Sequence, residues 1–179
     1  LNGVQYIVIG DMKTSTFDLT YALLFNKKLL SDYNLDNIYE LVKSGEWTFD
    51  KMYSMMKAVM RDLNGDTIMD ENDMYGYVSH PKQVLPNFWI AAGELSVKKD
   101  NTDLPYLAMG EERFNDVVQK VFSMMYDEDT YYRTTAIIPD VPKSSVDIFT
   151  NDRALFMDCS FFFMQQLRDM ETDVGIIPY

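Results

Sequence analysis

Several residue types on which protein chemistry depends are scarce in this sequence. Its 179 residues include one cysteine, Cys159, and one histidine, His80. A single cysteine excludes an internal disulfide and a cysteine-based zinc cluster, and we expect Cys159 to be a small buried hydrophobic residue. A serine or cysteine nucleophile would have His80 as its one possible imidazole base, yet His80-Pro81 is typical of a turn before a helix. We therefore predict that the chain is not an enzyme.

Basic residues are also few. Lys and Arg number 16 against 28 Asp and Glu, which gives a formal net charge of −12 and a pI near 4.4. Such a chain lacks the basic stripe that displaces counterions from phosphates, so we predict no nucleic-acid partner. Its apolar runs are too short to span a membrane, and it contains no glycine-rich phosphate loop. Nucleotide chemistry and membrane insertion therefore have no support in the sequence.

Hydrophobic residues, in contrast, make up 47% of the chain and aromatic residues 14%, which is enough for a substantial core. Strand-like and helix-like segments alternate, which predicts an α/β fold with helices packed around a central mixed sheet, in a single domain over 1–179. The predicted strands are 5–9, 20–25, 75–78, 154–157 and 173–178. The predicted helices are 26–30, 35–43 with Asn34 as its cap, 48–60, 83–92, 111–126, 145–151 and 161–170. We expect 127–143 to be a loop.

Two of the predicted helices carry apolar stripes at helical spacing, and we expect both stripes to face the core. One stripe consists of Met52, Met55, Met56, Val59 and Met60. The other consists of Phe114, Val117, Val118, Val121, Phe122 and Met125.

The segment 62–73 spaces its oxygen donors as a twelve-residue calcium loop does. In such a loop the ligands come from positions 1, 3, 5, 7, 9 and 12, and position 7 contributes its backbone carbonyl. Thr67 replaces the usual glycine at position 6, and the last position holds Asp where Glu is usual. The alternative is that Asn64-Gly65 forms a tight turn surrounded by solvated acids. We predict a structural Ca²⁺ ion whose ligands are Asp62, Asn64, Asp66, Ile68, Asp70 and Asp73.

Four segments, in this order, are similar to a known family. They are 21–30 (YALLFNKKLL), 45–50 (GEWTFD), 62–76 with its Asp-rich loop and terminal Tyr-Gly, and 149–157 (FTNDRALFM) leading to 173–178 (DVGIIP). Together they resemble a family 1 extracellular solute-binding protein, which captures carbohydrate for a bacterial ABC importer. The resemblance covers nearly the whole chain.

The resemblance implies a periplasmic-binding-protein-like fold, in which two α/β lobes joined by crossing strands close on a sugar. This chain resembles the second lobe alone, truncated at both interlobe crossovers, and its start without Met suggests an excised piece. The implied partners are a sugar or oligosaccharide, the missing first lobe and the importer's permease. The implied location of the parent is outside the cytoplasmic membrane, on the cell surface as a lipoprotein, or in the periplasm.

Sugar sites stack aromatic rings on the pyranose and use polar side chains for its hydroxyl groups. Three segments match the family's binding segments. The turn after Met157 is the most informative, because three consecutive phenylalanines on a helix cannot all face one core, so one ring should be exposed. The ligand-binding residues implied by the resemblance are Thr16, Asp18, Gln83, Asn87, Trp89, Asp158, Ser160, Phe161 and Phe162.

Two other classes of protein share some of these features. A calcium-dependent interaction module of the dockerin kind would have a similar loop, although it normally carries two such loops in a shorter chain. A fragment of a secreted glycan-processing enzyme would need two carboxylates facing each other across the substrate, one with a raised pKa. The sequence itself identifies no such pair among its 28 acidic residues.

Overall fold

The computed structural model describes residues 4 and 10 and the ranges 13–134 and 144–179. The strand predicted at 5–9 lies outside these described residues. Five of the strands form one mixed sheet in the order β5-β2-β6-β1-β7, and β3 and β4 form a separate two-stranded sheet. The strands are β1 (Tyr21–Asn26), β2 (Tyr75–Ser79), β3 (Val97–Lys99), β4 (Pro105–Leu107), β5 (Tyr131–Arg133), β6 (Ala154–Ser160) and β7 (Val174–Ile177).

The ends of the strands form two opposite edges of the main sheet, and strand direction makes these two edges different. β2 pairs in parallel with β5 and β6, whereas β1 pairs antiparallel with β6 and β7. Four strands therefore run one way, and β1 runs the other. We call the edge where β2, β5, β6 and β7 end and β1 begins the carboxyl edge. The opposite edge, where those four strands begin and β1 ends, is the amino edge.

Helices cover both faces of this sheet. Their starts are fixed by side-chain caps: Thr48 accepts a hydrogen bond from the Lys51 amide, and Asn37 accepts one from the Tyr39 amide. The helices are α1 (Ser15–Asp18), α2 (Lys27–Asp32), α3 (Ile38–Ser44), α4 (Phe49–Val59), α5 (Pro81–Ala91), α6 (Glu112–Met125), α7 (Ser145–Thr150) and α8 (Phe161–Met164), and a 3-10 turn (Gln165–Leu167) follows α8. No helix of the described ranges has the length and apolar character needed to cross a membrane.

The core lies on the two faces of the sheet. On one face, α4, α5 and α6 pack against β2 and β6, and the apolar stripe of α4 is buried as predicted from Met52 to Val59. On the other face, α7 and the end of the chain pack against β6 and β2. α4 approaches β2 so closely that a Cβ on Gly76 would lie 2.2 Å from Met56 Cβ, so this position requires glycine.

Several predicted boundaries are wrong. Helix α3 begins at Ile38 with Asn37 as its cap, and Asn34 has a φ of 49° in the preceding turn. Met60 ends α4 and is 37% exposed, so it leaves the predicted stripe. On α6, Phe122 is also 37% exposed and Met124 is buried in its place.

Four further differences concern strands and the last helix. The predicted loop 127–143 contains β5, and the hairpin of β3 and β4 was not predicted. The predicted strand 154–157 continues to Ser160, because its last three residues pair with β1 and are buried. α8 ends at Met164, where the 3-10 turn replaces the predicted continuation to 170.

Candidate functional site

Four chain segments meet at the carboxyl edge. α5 follows β2 directly, with the His80 side chain accepting a hydrogen bond from the Lys82 amide at its start. α8 follows β6, and Tyr179 follows β7. α1 precedes β1 and contacts α8, and the Phe161 amide donates to the Thr20 carbonyl at 3.1 Å. Open α/β sheets bind ligands outside the carboxyl ends of their strands, so this edge is the candidate site.

A set of buried polar and aromatic side chains lies beneath this edge. Asn87, half-buried on α5, donates from Nδ2 to Tyr179 Oη at 2.9 Å and to Asp158 Oδ2 at 3.4 Å. Gln83, one turn earlier on the same helix face, donates from Nε2 to Tyr21 Oη. These two amides attach α5 to three strands. We call this set the strand-end cluster, and its members are Tyr21, Tyr77, Gln83, Asn87, Asp158, Ser160 and Tyr179.

The strand-end cluster holds unmet hydrogen-bonding capacity. Across the described residues, three buried side-chain atoms lack a hydrogen-bond partner, and all three belong to it: Tyr77 Oη, Asp158 Oδ1 and Ser160 Oγ. An unpaired buried polar atom costs about 1–3 kcal/mol, so a group of three at one edge is unusual unless a water, an ion or a ligand completes it.

Asp158 is the acid of this cluster, and only 2% of its surface is exposed. Burial disfavours its charged form and raises the pKa of Asp158 to about 6, although the polar side chains of Ser79, Tyr77 and Asn87 oppose the rise. Burial followed by the charge of Asp158 raises the pKa of Tyr77 and of Tyr179. One carboxyl group therefore dominates the electrostatics of the carboxyl edge.

Aromatic rings are exposed above the cluster. Phe161 is 40% exposed and Phe162 is 50% exposed, whereas Phe163 packs against the core on the α7 face of the sheet. Phe17 of α1, which lies beside α8, is 64% exposed. The prediction that at least one of the three consecutive rings is exposed is therefore confirmed. Rings in this position offer flat apolar surfaces next to polar groups.

The structure brings most of the predicted ligand-binding residues to this one edge. Thr16 and Asp18 lie on α1, beside the start of α8. Trp89 is separated from them, because its ring stacks on Phe114 of α6 with 5.2 Å between ring centroids. The predicted residues at the carboxyl edge are Thr16, Asp18, Gln83, Asn87, Asp158, Ser160, Phe161 and Phe162.

Two details of that prediction are corrected. Asp158 and Ser160 belong to β6 and are buried, so they are not in a turn after the strand. The tyrosines at 21, 77 and 179 were missed, because Tyr21 and Tyr77 are ordinary strand residues and Tyr179 simply follows a strand. Their meeting at this edge follows from the strand order, which no local pattern reveals.

A pocket that Tyr179 separates from this edge is less suited to a polar ligand. It has a volume of about 230 Å³ and lies between α4, α5 and α6, with Trp47, Phe49 and Phe88 in its walls. Its two non-aromatic polar side chains are both engaged: Thr48 caps α4, and Lys120 pairs with an aspartate at 2.7 Å. The pocket continues the apolar core and presents no convergent polar groups.

The predicted calcium segment lies at the amino edge, between α4 and β2. Thr67 has a φ of 69°, the conformation for which glycine is usual at position 6. Asp62 accepts hydrogen bonds from the Gly65 and Thr67 amides at 2.6 and 2.8 Å, and these bonds lower the pKa of Asp62. Asn64, Asp66 and Asp70 each accept from the amide two residues later.

Asp73 closes the same loop. It is fully buried and accepts hydrogen bonds from the Leu63 and Asp70 amides, both at 2.8 Å. Ile68, whose carbonyl would be the seventh-position ligand, has a side chain 64% exposed. Among the described residues, no three His, Cys, Asp or Glu side chains lie close enough together to hold a metal ion. Calcium binding by this loop stays a prediction.

Comparisons with known proteins bear on the fold. No family model and no curated protein matches the sequence. An ABC substrate-binding protein of Listeria monocytogenes in complex with cycloalternan matches with a TM-score of 0.59 and 13% identity, covering 87% of this chain and 36% of its own. The maltotriose-binding protein of Thermus thermophilus, bound to maltotriose, matches with a TM-score of 0.56 and 15% identity. The match covers 89% of this chain and 36% of the Thermus protein.

A third solved structure gives the same result. The maltose/maltodextrin-binding domain MalE of Bdellovibrio bacteriovorus, bound to maltotriose, has a TM-score of 0.55 and 17% identity. The match covers 88% of this chain and 36% of the MalE chain. The chain therefore spans little more than a third of these proteins. Its α/β architecture matches one lobe of a periplasmic-binding-protein-like fold, as the sequence predicted.

Proposed function

We propose that this chain forms one wall of a carbohydrate-binding cleft in the solute-binding protein of an ABC importer. The observation that carries the proposal is the meeting of exposed Phe161 and Phe162 with the strand-end cluster at the carboxyl edge. The solved structures of the same fold carry sugars: cycloalternan in one and maltotriose in two others.

Each part of the edge has a separate task in this proposal. The exposed rings stack on the apolar face of a sugar, and the apolar surface removed from water there contributes about 25 cal/mol per Å². Gln83 and Asn87 are half-buried amides that donate and accept hydrogen bonds, so they select hydroxyl groups. Asp158 Oδ1 and Ser160 Oγ lie deeper, and they complete the polar floor beneath the sugar.

The proposed sugar cleft also implies partners and a location for the protein. A cleft between two lobes needs a second lobe, and closure of the two lobes around a sugar creates the surface that a permease recognises. Capture for an importer takes place outside the cytoplasmic membrane, so we propose an extracellular or periplasmic parent protein. Binding without turnover is its expected activity.

The test is calorimetric titration of maltotriose and of cycloalternan into the longer protein that carries this chain, and separately into the chain alone. We expect the longer protein to bind and the chain alone to bind much more weakly, since half of the cleft is absent. Phe161→Ala should weaken binding by the longer protein about tenfold, in line with the loss of one stacking ring.

Phe122→Ala is the matched control. Phe122 is another partly exposed phenylalanine, but it lies on α6 away from the carboxyl edge. It should leave sugar affinity unchanged. Equal losses in the two variants, or no binding of either sugar by the longer protein, would contradict the proposal.

A further inference from the structure

Asp158 is a buried carboxyl group that has no cationic partner among the residues the structure describes. Its surface is 2% exposed, and the ion pairs of the described chain do not include it. Asn87 Nδ2 donates to Asp158 Oδ2 over a long distance, 3.4 Å, and within the described residues Oδ1 has no hydrogen-bond partner. The Ser79 and Tyr77 side chains also lie near enough to oppose the rise in the pKa of Asp158. Buried carboxylates are normally paired or bonded by several donors, so this arrangement suits a neutral carboxyl group better than a charged one.

The groups that face Asp158 come from every neighbouring element. β1 contributes Tyr21, β2 contributes Tyr77, β5 contributes Tyr131, and Tyr179 follows β7. On β6 itself the neighbouring thiol is Cys159, whose pKa is raised to about 12 by burial and then by Asp158. α5 contributes the uncharged side chain of Asn87. α5 also carries His80 at its start, where its side chain accepts a hydrogen bond from the Lys82 amide. The tyrosines and Cys159 stay neutral below pH 8, so Asp158 is the one among these buried groups that changes charge near neutrality.

The Asn87 amide group donates to two acceptors at once, since its nitrogen carries two hydrogens. Its Nδ2 lies 2.9 Å from Tyr179 Oη and 3.4 Å from Asp158 Oδ2, so the stronger bond is to the phenol. Hydrogen bonds to an ionised carboxylate are shorter and about twice as strong as neutral ones. Ionisation of Asp158 should therefore draw the Asn87 amide from Tyr179 towards the carboxylate.

We propose that the carboxyl edge contains a pH-dependent switch, in which Asp158 releases a proton to solvent between mildly acidic and neutral pH and Asn87 moves from Tyr179 to Asp158. α5 itself stays in place, because Val84 and Phe88 bury it in the core and His80 caps its start. If the proposed sugar cleft is correct, the switch sets the position of one of its hydroxyl-selecting amides, that of Asn87. The switch itself is a property of the chain without sugar.

The experiment is a nuclear magnetic resonance titration of the chain, without sugar, from pH 4.5 to 8. We expect the Asp158 carboxyl carbon and the Asn87 side-chain amide to shift together with one inflection close to pH 6. Asp158→Asn, which keeps the shape of the side chain, should abolish the Asn87 inflection. Asp152→Asn, at the amino edge, should leave it in place.

Three results would overturn the switch. The Asp158 carbon titrates near pH 4, or the Asn87 amide is constant over the range, or its inflection persists in Asp158→Asn. Should Asp158→Asn fail to fold, the Asp158 carboxyl carbon and the Asn87 amide of the unaltered chain still decide the first two points. Because no sugar is present, these results are independent of the sugar-binding test.

Discussion

Acidic side chains at the two edges of the main sheet differ in how fully they are hydrogen-bonded. At the amino edge, Asp73 accepts two backbone amides, and Asp152 accepts hydrogen bonds from Asn26, Lys28 and Thr172. At the carboxyl edge, Asp158 keeps one oxygen without a partner. Acids with filled hydrogen-bonding capacity hold the chain in place, whereas an acid with spare capacity is available for proton exchange or a ligand.

The pKa values of Asp152 at the amino edge and Asp158 at the carboxyl edge shift in opposite directions. Burial tends to raise the pKa of Asp152, but its hydrogen bonds to Asn26, Thr172 and Lys28 outweigh burial and leave the pKa lowered. Burial dominates at Asp158 and raises its pKa to about 6. As the pH falls, the contribution of Asp152 to the free energy of unfolding therefore decreases, whereas that of Asp158 increases.

The largest effect should come from removing a saturated acid at the amino edge. Asp73→Ala leaves the Leu63 and Asp70 amides without their acceptor, and we expect it to lower the free energy of unfolding by about 3 kcal/mol. Urea unfolding of the variant and the unaltered chain measures the difference. The substitution tests whether Asp73 acts as a structural clamp in the absence of metal.

Ser160→Ala provides the contrast at the carboxyl edge. Ser160 is also buried, but its hydroxyl has no partner, so its removal strands no other group. We expect a change within about 0.5 kcal/mol, with stabilisation as the favoured sign. Losses of similar size in Asp73→Ala and Ser160→Ala would remove the distinction between the two edges.

Neutralising Asp158 should have an effect between those of Asp73→Ala and Ser160→Ala in size. The folded-state pKa of about 6 exceeds the ordinary value of 3.8, so the stability contributed by Asp158 is present at low pH and lost as the pH rises through 6. Asp158→Asn should therefore be more stable than the unaltered chain at pH 7.5, by about 2 kcal/mol, and similar to it at pH 4. Urea unfolding at both pH values tests this; a variant that is less stable at pH 7.5 would contradict it.

The sequence predicted some helix ends and the longer strands, but it did not predict the short strands. Local signals were reliable: Thr48 caps α4, Gly45 ends α3 with a φ of 76°, and β1 and β2 lie where their aromatic and branched residues indicate. β5, β3 and β4 have three residues each, too few to give a period.

The candidate site was predictable in membership but less so in arrangement. Family resemblance located Gln83, Asn87 and Phe161, whereas the polar end of β6 read as a turn because buried Asp and Ser are rare in strands. That Tyr21 and Tyr179 face these residues depends on β1 running against β6 and β7. Such pairing joins distant parts of the chain, so no local pattern contains it.

Asp152→Asn should have an effect of opposite sign and smaller size. The pKa of Asp152 is lowered in the folded chain, so its stabilising contribution is present above the ordinary aspartate pKa and lost as the pH falls. The variant should be less stable than the unaltered chain at pH 7.5, by about 1 kcal/mol, because its partners lie partly in solvent. The deficit should shrink towards pH 3. A deficit that is constant with pH would show that shape, and not charge, is what Asp152 contributes.

The smallest effect concerns calcium at the amino edge. The Asp-rich loop is already satisfied by its own amides, so an ion must compete with those bonds, and modest affinity is expected. At a calcium concentration of one to ten times the dissociation constant, the stabilisation is about 0.4–1.4 kcal/mol, which thermal unfolding detects. Asp66→Ala should abolish the calcium-dependent rise in melting temperature and leave the calcium-free melting temperature nearly unchanged, since the Asp66 side chain is exposed and bonds only within the loop.

Asp100→Ala is the matched control for calcium. Asp100 also accepts nearby amides in an exposed turn, from Thr102 and Leu104, but it lies in the β3–β4 hairpin outside the twelve-residue segment. Its variant should keep the full calcium response. If millimolar calcium leaves the unaltered chain's melting temperature constant, the amides alone complete the loop, and the amino edge is a purely structural counterpart of the carboxyl edge. If calcium stabilises all three proteins equally, the ion binds elsewhere on this acidic chain, and the spacing of donors over 62–73 reflects turn formation.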